Sequence, residues 1–530
     1  MNRAEWIEAD SVELIKLVRD TRTLVPRHSP TSTPTYYNRV VKEKLDASRP
    51  TGVKRRVRGT AGGDRVSVPY SCSSATASLP CVKLMFNAVV SEAESRFGTL
   101  DLTDYYLGSD LPHPESIKIF VATFPPALLA DLGLTPYIKT DSKGRPYIFF
   151  DIVKTMYGLP QAGLLSQLQL VSLLYEYGYH QTSTPMLFRH ESRDVTFCLV
   201  VDDFGVKYSK VADLEHLVDC LSQLYHVKSH PTGTNYLGFT VAHDRTARTI
   251  TLSYPGYIAK LLAQVRPNGV KPAKSPALYT PPSYGSSAPQ LSPVDNSSPA
   301  SAAEAKDLQI IVGSLLYYAR AVDASILPAV CALASRQSQP TAATMIAAER
   351  LLGYASSHPN NCLVIHASSM LLRIHSDASY LSRPKSGSVA GGFHYLGNPD
   401  HNSLNAPVLC HSTLIPVVVG AVSEAEYAAA YANAQIGVDE RQILANLGYP
   451  QPLTPIFCDN ECAVGLANGT VRPKKSKSID MRFDWIRDRV RQLQFDVRFI
   501  PGKLNLSDFF TKALPVHEHV RLAPTYVTPA

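Results

Sequence analysis

Two adjacent aspartates, Asp202 and Asp203, interrupt the apolar stretch FCLVVDDFGVKY from Phe197 to Tyr208. Apolar, β-branched residues on both sides of a polar pair predict a buried β-hairpin with the carboxylates at its turn. Asp is an ordinary turn residue, so the pair matters for what it demands: two carboxylates at one buried turn repel each other and lose hydration. A divalent cation is the usual countercharge, and Mg²⁺ takes hard oxygen ligands together with substrate phosphates. A third acid, Asp101 in TLDLTDYYLG, lies far enough upstream for a separate strand to bring it beside the hairpin. Three converging carboxylates can hold two metal ions about 3.5–4 Å apart, which suits in-line displacement at phosphorus.

A second acidic set follows. IHSDASY predicts a strand ending in Asp377, with SVAGGFHYLG as its hairpin partner. The Ala-rich stretch from Ser423 predicts a strong helix that carries Glu426 in its first turns. PIFCDN predicts a buried strand ending in Asp459, and Asp508 falls at or near a helix N-terminus. Four acids at successive elements of a mixed αβ unit suggest a second two-metal site. Glu424 competes with Glu426 for the glutamate's place.

Stepping outward, AEWIEADSVELIKLVRD has apolar residues at helical spacing. The basic segment KRRVRGTAGGDR, with Gly59, Gly62 and Gly63, suggests a mobile hairpin that could lay guanidinium groups over phosphates. Gly158, Pro160 and Gly163 make a loop before an amphipathic helix from Leu164 to Tyr175, with Gln161 placed to meet a substrate at its entrance. Residues 271–306 turn Pro/Ser-rich and read as a linker, and helical pattern resumes in 307–368.

The chain of 530 residues is 45% hydrophobic and 18% charged, ordinary globular composition with room for two or three domains. A net charge of +7 permits a polyanionic partner without demanding one. Basic runs at Lys54, Arg55 and Arg65, and at Lys474, Lys475 and Lys477, are the candidate phosphate contacts. Nine scattered cysteines fit a reducing compartment, and apolar runs such as Leu414 to Val422 are too short to span a membrane.

These residues carry a resemblance. The Asp101 segment, the LPQAG loop and the VVDD turn, in this order, resemble motifs A, B and C of a reverse transcriptase. NYLGFTV at Asn235 to Val241 resembles the primer-grip hairpin. EWIEA, LSYPGYI and VGSLLYYA are similar to copia-type long-terminal-repeat retrotransposon polyproteins, and the order Asp377, Glu426, Asp459, Asp508 is similar to the D-E-D-D set of ribonuclease H. Tyr427 and the alanines after it favour Glu426 over Glu424 in that comparison.

The resemblance implies an α+β right hand of fingers, palm and thumb followed by an α/β ribonuclease-H-like domain. Expected boundaries are 1–270 for fingers and palm, 271–306 for the linker, 307–368 for a helical connection, 369–515 for the ribonuclease-H-like domain and 516–530 for a C-terminal tail. It implies an RNA- and DNA-directed DNA polymerase with ribonuclease H activity, using two Mg²⁺ or Mn²⁺ ions per site. Asp101, Asp202 and Asp203 would hold the polymerase metals, and Asp377, Glu426, Asp459 and Asp508 the others. Tyr106 would gate the sugar, Gln161 would contact the incoming nucleotide, and Arg56 or Arg58 would cover its triphosphate. Implied partners are an RNA template, a DNA primer, the RNA–DNA hybrid and dNTPs, without a membrane, in a cytoplasmic virus-like particle or the nucleus. Protease, integrase and capsid signatures are lacking, so the expectation is a piece of a longer polyprotein. The alternative is a catalytically inactive nucleic-acid-binding remnant.

Overall fold

The computed structural model describes residues 3–45, 52–281, 295–400, 403–471 and 481–529. Its first layer is a fingers sheet in the order Leu24–Arg27, Pro146–Lys154, Asp110–Phe120, Thr35–Leu45, Val53–Ala61, with Lys139–Thr140 beside Pro146–Lys154. The helix Arg3–Ile15, continued by a π-helical turn at Lys16–Asp20, packs on Val53–Ala61. The glycines expected to loosen a hairpin do something else. Gly59 lies inside the strand, where a Cβ would strike the Tyr37 ring and Leu17, and Glu13 accepts its N–H at 2.9 Å. Gly63 meets the carbonyl of Gly158. The basic residues Lys54 to Arg58 therefore lie on a strand, Val53–Ala61, paired antiparallel along its length with Thr35–Leu45. Period-two alternation turns Arg56 and Arg58 to one face and Arg55 to the other.

The palm sheet runs His226–His230, Arg96–Thr103, Asp203–Tyr208, Val195–Val200, Leu187–His190, Tyr179–Gln181. Phe197, Phe204 and Val206 are wholly buried, which anchors the central hairpin in apolar packing. Behind it lies Leu79–Ser91, capped by Ser78 and buried at every position from Cys81 to Val90. A helix buried on all sides belongs to an interior, and this one touches the palm, the connection and the last domain.

Next comes a four-stranded sheet of Asn235–Tyr236, Phe239–Asp244, Thr249–Ser253 and Cys362–His366. Its last strand comes from the expected helical connection, whose helices are Ala302–Ala321, Leu327–Ala334 and Ala342–Ser357. The expected linker is shorter than composition suggested. Ser301 and Glu304 form a capping box that starts a helix at Ala302, and Arg350 donates to Ser275 Oγ at 2.9 Å. Residues 282–294 lie outside the described residues.

The last sheet is Pro407–Leu414, Gly387–Gly397, Leu371–Arg383, Thr454–Cys458, Phe495–Phe499, the first three antiparallel and the last two joined in parallel. The helix Val422–Asn446 crosses it. This mixed sheet, covered by a long helix, is the α/β unit expected after the fingers and palm sheets. One continuous apolar core runs from the palm through the connection into it. No helix among the described residues is long and apolar enough to cross a membrane.

The expected C-terminal tail is docked. Val516–Leu522 is helical, Thr528 bridges Cys362, and Tyr526 is 1% exposed, its ring 4.5 Å from Phe509 and 4.9 Å from Phe510. Its hydroxyl donates to Leu506 O at 2.6 Å, close in sequence to Asp508. Tyr526→Ala should therefore cost about 3–5 kcal/mol, as emptying a buried aromatic site does. The check is the denaturant midpoint of this domain, and an unchanged midpoint would mean a free tail.

Candidate active sites

The hairpin forms where it was expected. Val195–Val200 pairs with Asp203–Tyr208, and the Val200–Asp203 pair closes a two-residue turn of Val201 and Asp202. Val201 sits at φ +60°, a left-handed conformation that a β-branched residue adopts only at a cost. Asp101, in Arg96–Thr103, is the direct cross-strand partner of Asp203, and Leu102 N donates to Asp202 O at 3.2 Å. Directly paired residues share a sheet face, so the fold brings the three carboxylates together. Burial, then Asp202 and Asp101, lifts the Asp203 carboxyl to about 6 from an ordinary 3.8. Asp202 is raised by burial and by Asp101, with Arg58 and Arg56 opposing.

Lys228, which sequence reasoning did not single out, is the other cross-strand partner of Asp101, with Nζ 3.5 Å from its Oδ2. Its only signal was a lysine in a short polar strand before NYLGFTV.

A wall of rings stands beside this cluster. Tyr106 meets Tyr157 edge to face at 5.1 Å, and the Arg58 guanidinium lies 4.6 Å over the Tyr157 ring. Thr155 Oγ1 donates to the Tyr106 carbonyl, fixing that backbone. Tyr106 is half-buried, and burial and then Asp202 raise its phenol. Tyr157 was also missed, although it directly precedes the GLPQAG loop. Gln161 opens the helix Ala162–Glu176 as expected but is only 4% exposed. It bonds the Glu115 carboxylate, while its Oε1 lacks a partner among the described residues.

The basic run divides by strand face. Lys54 is exposed, and Arg56 and Arg58 influence Asp202. Arg55 departs from the expected phosphate contact: it is ion-paired with Glu5 and with Glu43 at 3.1 Å, and stacks over Trp6. That charge is already spent within the fingers. Arg65 is exposed and lies 5.0 Å over Tyr36. Lys474, Lys475 and Lys477 lie outside the described residues.

In the last domain Asp377 lies inside the strand Leu371–Arg383 rather than at its end, because the hairpin pairing continues to Ser379 and resumes at Arg383. It is 4% exposed and accepts from Thr511 Oγ1 at 2.6 Å. Glu426, 5% exposed on Val422–Asn446, reaches the same place, its Oε2 3.8 Å from Cys458 Sγ. Glu424 instead accepts from Gly420 N at 2.6 Å. Ligand atoms of Glu426, Cys458 and Asp459 lie within 4.8 Å of one another. Asp508, in the short 3₁₀ helix Leu506–Phe510, pairs with Lys512 Nζ at 2.5 Å. Burial and then Asp508 raise Asp377; burial and then Asp377 and Asp459 raise Glu426. Gly502 leaves a hollow for Asp459, whose Oδ2 would lie 2.9 Å from any Cβ there. Both sets are crowded, hard oxygen donors, so the residues fit divalent metal ions.

No protein-family model matches the chain. It is 23% identical over 381 residues to the retrovirus-related Pol polyprotein from transposon TNT 1-94 of Nicotiana tabacum, covering 70% of this chain and 28% of that protein. To the Pol polyprotein from transposon RE1 of Arabidopsis thaliana it is 27% identical over 378 residues, covering 70% and 24%. It is similar in fold to the foamy viral protease-reverse transcriptase dRH solved in complex with ds DNA, with a TM-score of 0.50 at 13% identity over 95% of this chain and 69% of that one. The fold is that of a reverse transcriptase carrying a ribonuclease-H-like domain. Both of these relatives are retrovirus-related Pol polyproteins from transposons, and the chain spans about a quarter of their length.

The raised Asp203 carboxyl sets a stability signature. An acid raised on folding penalises the folded state once ionised; here the penalty is absent below pH 3.8 and complete above about 6. In chelator at pH 8, Asp203→Asn should unfold at a higher temperature than the native chain, and the gap should close as pH falls through 6 toward 4. Native and variant melting together at every pH would contradict the charge crowding.

Proposed function

We propose that this chain is the reverse transcriptase and ribonuclease H portion of a copia-type retrotransposon polyprotein. The observation carrying this reading is the meeting of the cross-strand partners Asp101 and Asp203 with Asp202 of the adjoining turn, beside Tyr106, Tyr157 and Arg58. A second carboxylate cluster stands in the ribonuclease-H-like domain.

In the palm, Asp101, Asp202 and Asp203 would hold two Mg²⁺ or Mn²⁺ ions, which when bound activate the attacking hydroxyl and neutralise the leaving group in an in-line displacement. Arg56 and Arg58 bind the triphosphate of the incoming dNTP, a task suited to a planar guanidinium. The Tyr106 ring, braced by Tyr157, occupies the space a ribose 2′-hydroxyl would need, so volume selects deoxyribose. Gln161, at the N-terminus of the helix Ala162–Glu176, contacts that nucleotide after a local rearrangement that uncovers its buried side chain. Lys228 offsets part of the charge on Asp101. Substrates are a DNA primer on an RNA and then a DNA template.

In the second site Asp377, Glu426, Asp459 and Asp508 would hold the same class of ion. Thr511 orients Asp377, and Lys512 steadies Asp508. The RNA strand of a hybrid is cut there to a 5′-phosphate and a 3′-hydroxyl. Lys54 and Arg65 contribute phosphate contacts that weaken with salt. The work belongs in a cytoplasmic virus-like particle or the nucleus.

Separate knock-outs test the reading. Losing a metal ligand removes several kcal/mol of charge stabilisation, at least about a hundredfold in rate. Asp202→Asn should lose primer extension and keep hybrid cleavage, while Glu426→Gln should do the reverse. Extension by Asp202→Asn at the native rate would end the polymerase reading, and a native chain that binds hybrid without extending or cutting it would be a remnant.

Sugar choice gives an independent check. Tyr106→Ala should raise use of rNTPs relative to dNTPs in single-nucleotide incorporation. An unchanged ratio would move the gate to Tyr105, whose ring lies 5.3 Å away.

A further inference from the structure

The helix Val422–Asn446 carries three polar residues at intervals of seven, Glu426, Asn433 and Glu440, and all three are buried. Two turns of a helix return nearly to the same face, so they form one stripe along the sheet. Only Glu426 belongs to the carboxylate cluster. The other two form a polar chain with the strand Gly387–Gly397, in which Glu440 Oε1 has no partner among the described residues. His394, wholly buried, places Nδ1 2.6 Å from Glu440 Oε2 and Nε2 2.8 Å from Asn433 Oδ1. His411 Nε2 reaches the same Oδ1 at 2.9 Å. Asn433 Nδ2 shares its two hydrogens among Ser376 Oγ, Gly391 O and Ala429 O, each at 3.0 Å.

This geometry assigns the protons. A carboxamide that donates through nitrogen to two carbonyls must accept through oxygen, so both imidazoles carry hydrogen on Nε2. His394 then has Nδ1 facing a carboxylate at short range, the arrangement of an imidazolium–carboxylate pair. Burial alone would lower the His394 pKa, but Glu440 and Asn433 together outweigh it and the net shift is upward. His411 keeps one proton, its pKa pushed down to about 4 by burial and by His394. The neighbours facing this pair are His375 on Leu371–Arg383, Cys410 and His411 on Pro407–Leu414, and, beyond Cys410 and His411, Lys83 of the palm helix and Arg320 of the connection.

The chain ends at the candidate site. Ser376 precedes Asp377, and its carbonyl accepts from Asn505 Nδ2 at 2.9 Å while its hydroxyl is held by Asn433. Asn505 in turn bonds Asp459. Space was made for this: a Cβ on Gly392 would fall 2.0 Å from Asn433 Oδ1.

We infer that Glu440, His394, Asn433 and Ser376 are positioning residues for the ribonuclease-H-like carboxylates, a buried ion pair orienting Asn433 so that it pins the strand at Asp377 and, through Asn505, steadies Asp459. A purely structural network would hold the helix to the sheet and leave the acids' affinity for metal unchanged. A positioning network changes that affinity, because partners behind metal ligands fix their orientation. The inference rests on the proposed function only for its cleavage readout.

The test uses the full chain in an Asp202→Asn, Asp203→Asn background, so that the palm carboxylates do not compete for metal. Mn²⁺ binding is followed by electron paramagnetic resonance, and single-turnover cleavage and binding of an RNA–DNA hybrid are measured alongside. Ser376→Ala deletes only the last link and barely alters volume. It should weaken Mn²⁺ binding and slow cleavage by roughly 10–100-fold, the usual cost of a lost outer partner, with hybrid affinity unchanged. Glu440→Leu should do the same, and Glu440→Gln should recover most of that loss, because its carboxamide can donate to His394 Nδ1. Where Glu440→Leu fails to fold, Ser376→Ala decides. Native Mn²⁺ affinity in Ser376→Ala overturns the inference. A native chain that binds Mn²⁺ but cleaves no hybrid overturns the proposed function instead, and the Ser376 dependence of Mn²⁺ binding still decides this one.

Discussion

Like charge held at close range in a partly dehydrated place is the constraint on which this structure turns. Asp203 faces Asp101 directly across a strand pair, and Asp202 stands in the turn between. Paired like charges destabilise a sheet, and Val201 adds a left-handed backbone at the same turn. Such an arrangement persists only when its surroundings over-determine it. Here Phe197, Phe204, Val206 and the buried helix Leu79–Ser91 supply apolar packing behind the hairpin. The second cluster is held likewise, by the long helix Val422–Asn446 and by Thr511, Asn505 and Lys512.

The same packing joins the two sites into one body. The palm helix Leu79–Ser91 contacts the strand Cys362–His366 of the connection and the helix Val422–Asn446 of the last domain. Lys83, 3% exposed, donates to Arg320 O at 2.8 Å, and burial lowers it to about 8. Tyr449 of the last domain reaches Glu92 of the palm, and Asn446 bonds Ser183 and Thr184. A chain that reads as two catalytic units with a linker is thus a continuous core with two carboxylate-bearing surfaces.

Much of this was legible in the sequence for a physical reason. Apolar runs broken by acids mark strands whose ends face something charged, so the hairpin at Asp202 and the strand before Asp459 were readable locally. The ordered motifs then implied the right hand and its second domain, and the fold has that architecture. Where local pattern misled, the cause was a distant partner. Gly59 looked like a loosening residue because the Tyr37 ring that requires it lies on another strand. Residues from Val516 onward looked like a tail because the cavity filled by Tyr526 is built from Phe393, Phe509 and Phe510.

The sequence by itself determined which residues could do chemistry, and in what order along the chain. Only the tertiary structure decided what each one faces. Strand alternation sent Arg55 to Glu5 and Arg58 to Tyr157, although both stand in one basic run. Cross-strand register put Lys228 beside Asp101, and helix phase chose Glu426 over Glu424 for the cluster. Side-chain type and spacing are local properties written in the chain. Register, burial and the partner of a charge arise from segments far apart in sequence, and they exist only once those segments have packed.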